Sequence, residues 1–135
     1  MAESKKLKVL VMEQEENLRH WLSRLLDRTE GFQCVGYCPG PEAIRDMVTQ
    51  LGPQMLLLDW RSASSLPAQS LLELKELAPG LCVVFMDLEE GPGYERRARH
   101  AGADGFLSKA RVPEDLESLR KRFFPEGKQL PRAGT

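Results

Sequence analysis

Short apolar runs and longer segments with helical spacing take turns along this chain. Lys8–Glu13 (KVLVME) is an apolar run after a basic start. Leu18, Trp21, Leu22, Leu25 and Leu26 then recur on one helix face, which predicts a helix from about Glu15 to Arg28 with Trp21 half-buried against the core. Thr29-Glu30-Gly31 stops it, and Phe32–Tyr37 alternates as a second strand should. Pro39-Gly40-Pro41 breaks the chain before a helix whose apolar face is Ala43, Ile44, Met47, Val48 and Leu51. Gly52-Pro53 ends that helix, and Met55–Asp59 is the third strand. Arg61–Pro67 reads as a polar loop. Leu71, Leu72, Leu74 and Leu77 mark a third helix, closed by Ala78-Pro79-Gly80. Leu81–Met86 is the fourth strand, and Asp87–Gly93 an acidic, glycine-containing loop. A fourth helix covers Tyr94–Ala101, with Tyr94, Ala98 and Ala101 inward and Arg96, Arg97, Arg99 and His100 outward. Gly105–Ser108 is the fifth strand. Pro113 opens a last helix with Leu116, Leu119 and Phe123 as its stripe.

Five strand–helix repeats with short loops imply a parallel sheet covered on both faces. Runs such as Leu56-Leu57-Leu58 fit this, because a strand buried on both sides has no polar alternation. The expected architecture is an open α/β, flavodoxin-like sheet of five parallel strands in the order 2-1-3-4-5. A closed barrel needs eight such units. The folded unit is expected to span residues 1–124. Residues 125–135, with two prolines and two glycines, are expected to form a flexible tail, with no output domain in the chain.

Composition narrows the function classes. The chain has 135 residues, with 19 Lys and Arg against 20 Asp and Glu, a net charge of −1. That balance gives no electrostatic case for direct nucleic-acid binding. No apolar run approaches the roughly 18 residues of a membrane span. The start, Ala2-Glu3-Ser4-Lys5-Lys6, leads into a run too short for a signal peptide, so a cytoplasmic location is expected. The three cysteines, Cys34, Cys38 and Cys82, are an odd set that favours free thiols filling apolar space over a disulfide framework or a metal site.

The candidate chemistry sits at two strand ends. Met55–Asp59 ends in a carboxylate, and Gly105-Phe106-Leu107-Ser108 is followed by Lys109. Open α/β folds put their sites at the carboxyl edge of the sheet, so Asp59 and Lys109 could meet there as an acidic site with a cationic clamp. A flavin or nucleotide enzyme would need a glycine- or hydroxyl-rich phosphate loop after the first strand. Glu13-Gln14-Glu15-Glu16 stands there instead and would repel phosphate.

Five segments in order and spacing carry a family resemblance: Val9–Glu15, Leu56–Asp59, Val83–Asp87, Ala101–Phe106 and Ser108-Lys109. Over about Lys8 to Phe124 the chain resembles receiver domains of bacterial two-component response regulators, most closely those of the NarL/LuxR type. The resemblance implies a signalling module of a phosphorelay rather than an enzyme. It implies Asp59 as phospho-acceptor, Glu13, Gln14 and Asp59 as ligands of a magnesium ion, and Lys109 as the clamp on the phosphoryl oxygens. Asp87 would stand at the switch hydroxyl position and Phe106 at the switch aromatic. A histidine kinase or another signalling protein would be the partner. The fourth helix, fifth strand and last helix would form an output or homodimer face, made positive by Arg96, Arg97, Arg99, His100, Arg120, Lys121 and Arg122.

Several positions depart from the family pattern. Glu13 lengthens the usual aspartate by one methylene, and Gln14 removes one formal charge, so magnesium binding should weaken. Asp87 cannot donate a hydrogen bond when ionised. Near a phosphorylated Asp59 it would repel by ~4 kcal/mol for unit charges ~4 Å apart at an effective dielectric of ~20. The stretch after Asp59, Trp60-Arg61-Ser62-Ala63-Ser64, lacks the Met-Pro and later Gly of ordinary receivers. Two roles for Asp87 follow. It could pair with Lys109 and imitate part of a phosphoryl group, or it could help bind a cation in place of Gln14. The alternative to a working phospho-acceptor is a pseudo-receiver that acts as a protein–protein interaction or dimerisation module.

Overall fold

The computed structural model describes residues 6–125; the expected tail lies almost wholly outside them. Five strands, β1 (Leu7–Met12), β2 (Phe32–Tyr37), β3 (Met55–Asp59), β4 (Cys82–Asp87) and β5 (Gly105–Ser108), form one parallel sheet in the order β2-β1-β3-β4-β5. The expected order and class are borne out. Register runs Leu10↔Leu56 between β1 and β3, Leu57↔Val84 between β3 and β4, and Val84↔Gly105 between β4 and β5.

Successive strand residues point to opposite faces. Val9, Val11, Leu57, Val84 and Leu107 therefore pack with Leu22 and Leu26 of α1 (Glu16–Arg28) and Leu116 and Leu119 of α6 (Val112–Phe123). Leu10, Leu56, Leu58, Val83 and Phe85 face the other way. They meet Ile44 and Val48 of α2 (Ile44–Leu51), Leu71 and Leu74 of α4 (Ala68–Leu77) and Ala98 of α5 (Pro92–His100). Two cores share one sheet, which explains why β3 and β4 carry unbroken apolar runs.

Some expectations are corrected. Glu15 is not in α1 but caps it, its carboxylate accepting the Leu18 N–H at 2.9 Å. Trp21 remains 45 % exposed, outside the core. On the edge strand β2 only Phe32 is buried, because a register shift opposite Val9 and Leu10 disturbs its alternation. Leu72 and Leu77 lie exposed on α4, whose core side is carried by Leu71 and Leu74. Ala101 is exposed, since α5 starts at Pro92 and already ends at His100. The polar loop after β3 opens with a short helix, α3 (Trp60–Ala63).

Candidate functional site

The sheet order makes a crevice between β1 and β3, where the chain switches from building outward on one side to building on the other. Glu13 follows β1 and Asp59 ends β3, so two carboxylates flank that crevice. Both are buried, Glu13 4 % and Asp59 6 % exposed. Asp59 also occupies the N-cap position of α3, but its side chain makes no capping bond. It turns instead to Lys109.

Lys109 follows β5. Its backbone N–H donates to the Asp87 carbonyl at 2.7 Å, which fixes the lysine beside the end of β4. From there Nζ lies 2.5 Å from Asp59 Oδ1 and 2.8 Å from Glu13 Oε1. Glu13 Oε2 accepts the Glu15 N–H at 3.0 Å. Burial pulls the Lys109 pKa down, but the hydrogen bonds to Asp59 and Glu13 and their charges outweigh it, leaving it above its ordinary value. One ammonium thus bridges two buried carboxylates, with a formal charge of −1 left over.

The remaining candidates stand differently. Gln14 is exposed and stays out of this cluster. Asp87 is partly buried, and its Oδ1 accepts the Leu88 N–H at 2.6 Å. Among the described residues Asp87 makes no ion pair with Lys109, so the expected imitation of a phosphoryl group is not made. The physical reason is competition: Asp59 and Glu13 already take the ammonium, and the adjacent amide offers Asp87 a local partner. Nor do three His, Cys, Asp or Glu side chains come together among the described residues as a group able to hold a metal ion. Two carboxylates already bound to an ammonium, with a neutral exposed third position, are a poor fit to a tightly held Mg²⁺, which needs carboxylates free to receive it.

Phe106 is partly buried and lies in a group of rings that sequence reasoning did not assemble. Trp60 approaches Phe85, Phe106 and Tyr94 edge-on, with centroids 5.3, 5.9 and 6.4 Å away. Tyr94 stacks on Phe106 at 5.9 Å. These residues come from four separate elements, so no local spacing could reveal them.

The outward arginines of the fourth predicted helix are exposed as expected, but their charge is partly answered. Glu95 pairs with Arg99 and with Arg122 of α6, both at 2.6 Å, and ties the two helices together. Glu117 pairs with Arg120 at 2.8 Å. The cysteines are free; Cys38 and Cys82 are buried, and Cys34 is half-buried.

No family model matches the chain. Sequence relatives do. A protein-glutamate methylesterase/protein-glutamine glutaminase of Albidiferax ferrireducens is 30% identical over 111 residues, 82% of this chain and 30% of that protein. The response regulator GacA of Pseudomonas aeruginosa is 27% identical over 118 residues, 87% of this chain and 55% of that protein. Among solved structures, the signal receiver domain of a NarL response regulator from Mycobacterium tuberculosis superposes with a TM-score of 0.68 at 20% identity, covering 87% of this chain and 98% of that one. The chain is a response-regulator receiver domain. It spans about a third to a little over half of the length of the curated relatives it matches. The methylesterase and glutaminase named for some of them are therefore attributes of longer proteins. No described helix of this receiver is long and apolar enough to cross a membrane.

Proposed function

We propose that this is an atypical receiver in phosphorelay-type signalling, with Asp59 accepting a phosphoryl group from a partner histidine kinase. The observation that carries the reading is the Lys109 ammonium held 2.5 Å from the Asp59 carboxylate at the sheet's carboxyl edge. An Asp59 oxygen would form the new O–P bond while the donor's bond to phosphorus breaks and its electron pair leaves with the donor. Lys109 would then bond to the new phosphoryl oxygens, a charge-assisted contact already positioned before transfer. Glu13 keeps the lysine in place from the other side. With so poor a metal cradle, the reaction should depend on Mg²⁺ weakly. The face of α5, β5 and α6 is where a signalling partner or a second copy would dock, and direct nucleic-acid binding is not part of this reading. Cytoplasmic residence agrees with it.

A second reading has its own support. Gln14 is neutral and exposed, and Asp87 offers a carboxylate where a hydroxyl donor would serve. Both favour a pseudo-receiver that signals by contact alone.

Incubation with acetyl phosphate, with and without Mg²⁺, followed by intact mass separates the two. The first reading expects an acid-labile phosphoryl adduct that is absent in Asp59→Asn. No adduct under either condition would leave the contact-only reading.

A further inference from the structure

The rings beside Asp59 form a continuous path away from it. Trp60 is its peptide neighbour and the first residue of α3. The Trp60 ring meets Phe106 edge-on, and Phe106 stacks on Tyr94 with the two planes 26° apart. Tyr94 belongs to α5, and the Arg97 guanidinium lies over its ring at 4.4 Å. Phe106 also lines a cavity of about 220 Å³ between α5 and α6, with Arg111, Ser118 and Leu119 in its wall. The path thus runs from the site to a helix surface and a groove.

A route through residue 87 lacks its chemistry in this chain. Asp87 has no hydroxyl to offer, and its carboxylate is occupied by the Leu88 amide. The ring path needs no new contact to form. Packed rings shift between discrete arrangements rather than deforming smoothly, so a displacement at one end is passed on.

We propose that Trp60 couples the state of Asp59 to α5, through Phe106 and Tyr94, in place of a hydroxyl residue at position 87. A change in the charge or bonding of the Asp59 carboxylate moves the start of α3, and Trp60 with it. Phe106 and Tyr94 follow, and the change surfaces on α5 around Arg97 and in the groove that Phe106 lines. The inference takes from the proposed function only that Asp59 is the centre of the site, not that it accepts a phosphoryl group.

The test perturbs Asp59 by substitution, so it works whether or not phosphoryl transfer occurs. Amide shifts of the ¹⁵N-labelled protein are compared between Asp59 and Asp59→Asn, first with Trp60 intact and then with Trp60→Leu. With Trp60 intact, Asp59→Asn should move the amides of Tyr94 to Arg97. In Trp60→Leu that response should fall severalfold, whereas Trp60→Phe, which keeps a ring, should retain part of it. An undiminished response in Trp60→Leu, or none on α5 with Trp60 intact, overturns the proposal. Should Trp60→Leu fail to fold, Tyr94→Leu cuts the path at its last ring. The response should then reach Phe106 and stop short of Arg97, and an unchanged response at Arg97 again overturns it.

Discussion

Lys109 Nζ lies 2.5 Å from Asp59 Oδ1, although the two residues are separated by 50 positions in sequence. The same ammonium meets Glu13 at 2.8 Å. Removing it would leave two buried carboxylates facing each other without a cation. Lys109→Met should therefore cost about 3 kcal/mol or more at neutral pH, the range for breaking a buried pair. Urea unfolding of the two proteins measures this, and a difference below about 1 kcal/mol would contradict the geometry.

The same pair predicts a pH dependence. The folded-state pKa of Lys109 is raised, against the pull of burial, by Asp59 and Glu13. The unfolded chain then loses the proton first as pH rises. The stabilisation is complete below the unfolded lysine value of about 10.4 and is lost as pH climbs through the folded value. The wild type should lose its stability advantage over Lys109→Met in that alkaline window. Parallel stability curves for the two proteins above pH 10 would be the contrary result.

Asp104 predicts a second structural loss. Its Oδ2 accepts the Val83 N–H at 2.8 Å and pairs with Lys75, joining α4 to the approach of β5. Asp104→Ala strands the amide and the lysine together and should cost about 2 kcal/mol. Asp104→Asn can still accept from Val83, so its loss in thermal or urea unfolding should be smaller.

Gly105 is required by crowding rather than by backbone conformation. A Cβ there would meet Leu119 Cδ2 at 3.0 Å and Phe123 at 3.4 Å. Gly105→Ala should destabilise by about 1–3 kcal/mol through overpacking of α6 on β5. Pairing it with Leu119→Ala, which opens the space, should give a combined loss smaller than the sum of the single losses.

Cys82 should be chemically silent. Burial first, and then the nearby Asp104 charge, push its thiol up to about 12. The unfolded chain ionises this thiol near its ordinary value of about 8.5, so its contribution to stability falls as pH rises between the two values. A thiol-specific reagent at pH 8 should label Cys34 well before Cys82. Equal rates in the native protein would contradict the assignment.

The fold was legible because its signals are local and periodic. The apolar runs at β3 and β4 and the stripe Leu116, Leu119 and Phe123 follow from one strand or one helix at a time. That Asp59 and Lys109 would meet was legible because each stands at a strand end, and a parallel sheet brings such ends together; Glu13 beside them was pointed to by the family resemblance. What the sequence concealed depends on competition between partners. Nothing in it says that Asp87 bonds the Leu88 amide while Lys109 goes to Asp59 and Glu13. Trp60, which the sequence marked only as the residue after Asp59, joins rings from β4, α5 and β5, a contact set with no periodicity to announce it. Trp21 met every requirement of helical spacing and still stayed 45 % exposed, because periodicity names a face but not how far the neighbours reach over it.

The most direct test of the account is to find which residue carries a phosphoryl group after treatment with acetyl phosphate, by borohydride trapping of the acyl phosphate and peptide mass mapping. The account predicts trapping at Asp59, greatly slowed in Lys109→Met and only weakly dependent on Mg²⁺. Trapping at Asp87 or Glu13, or no trapped product in the folded wild-type protein, would contradict it.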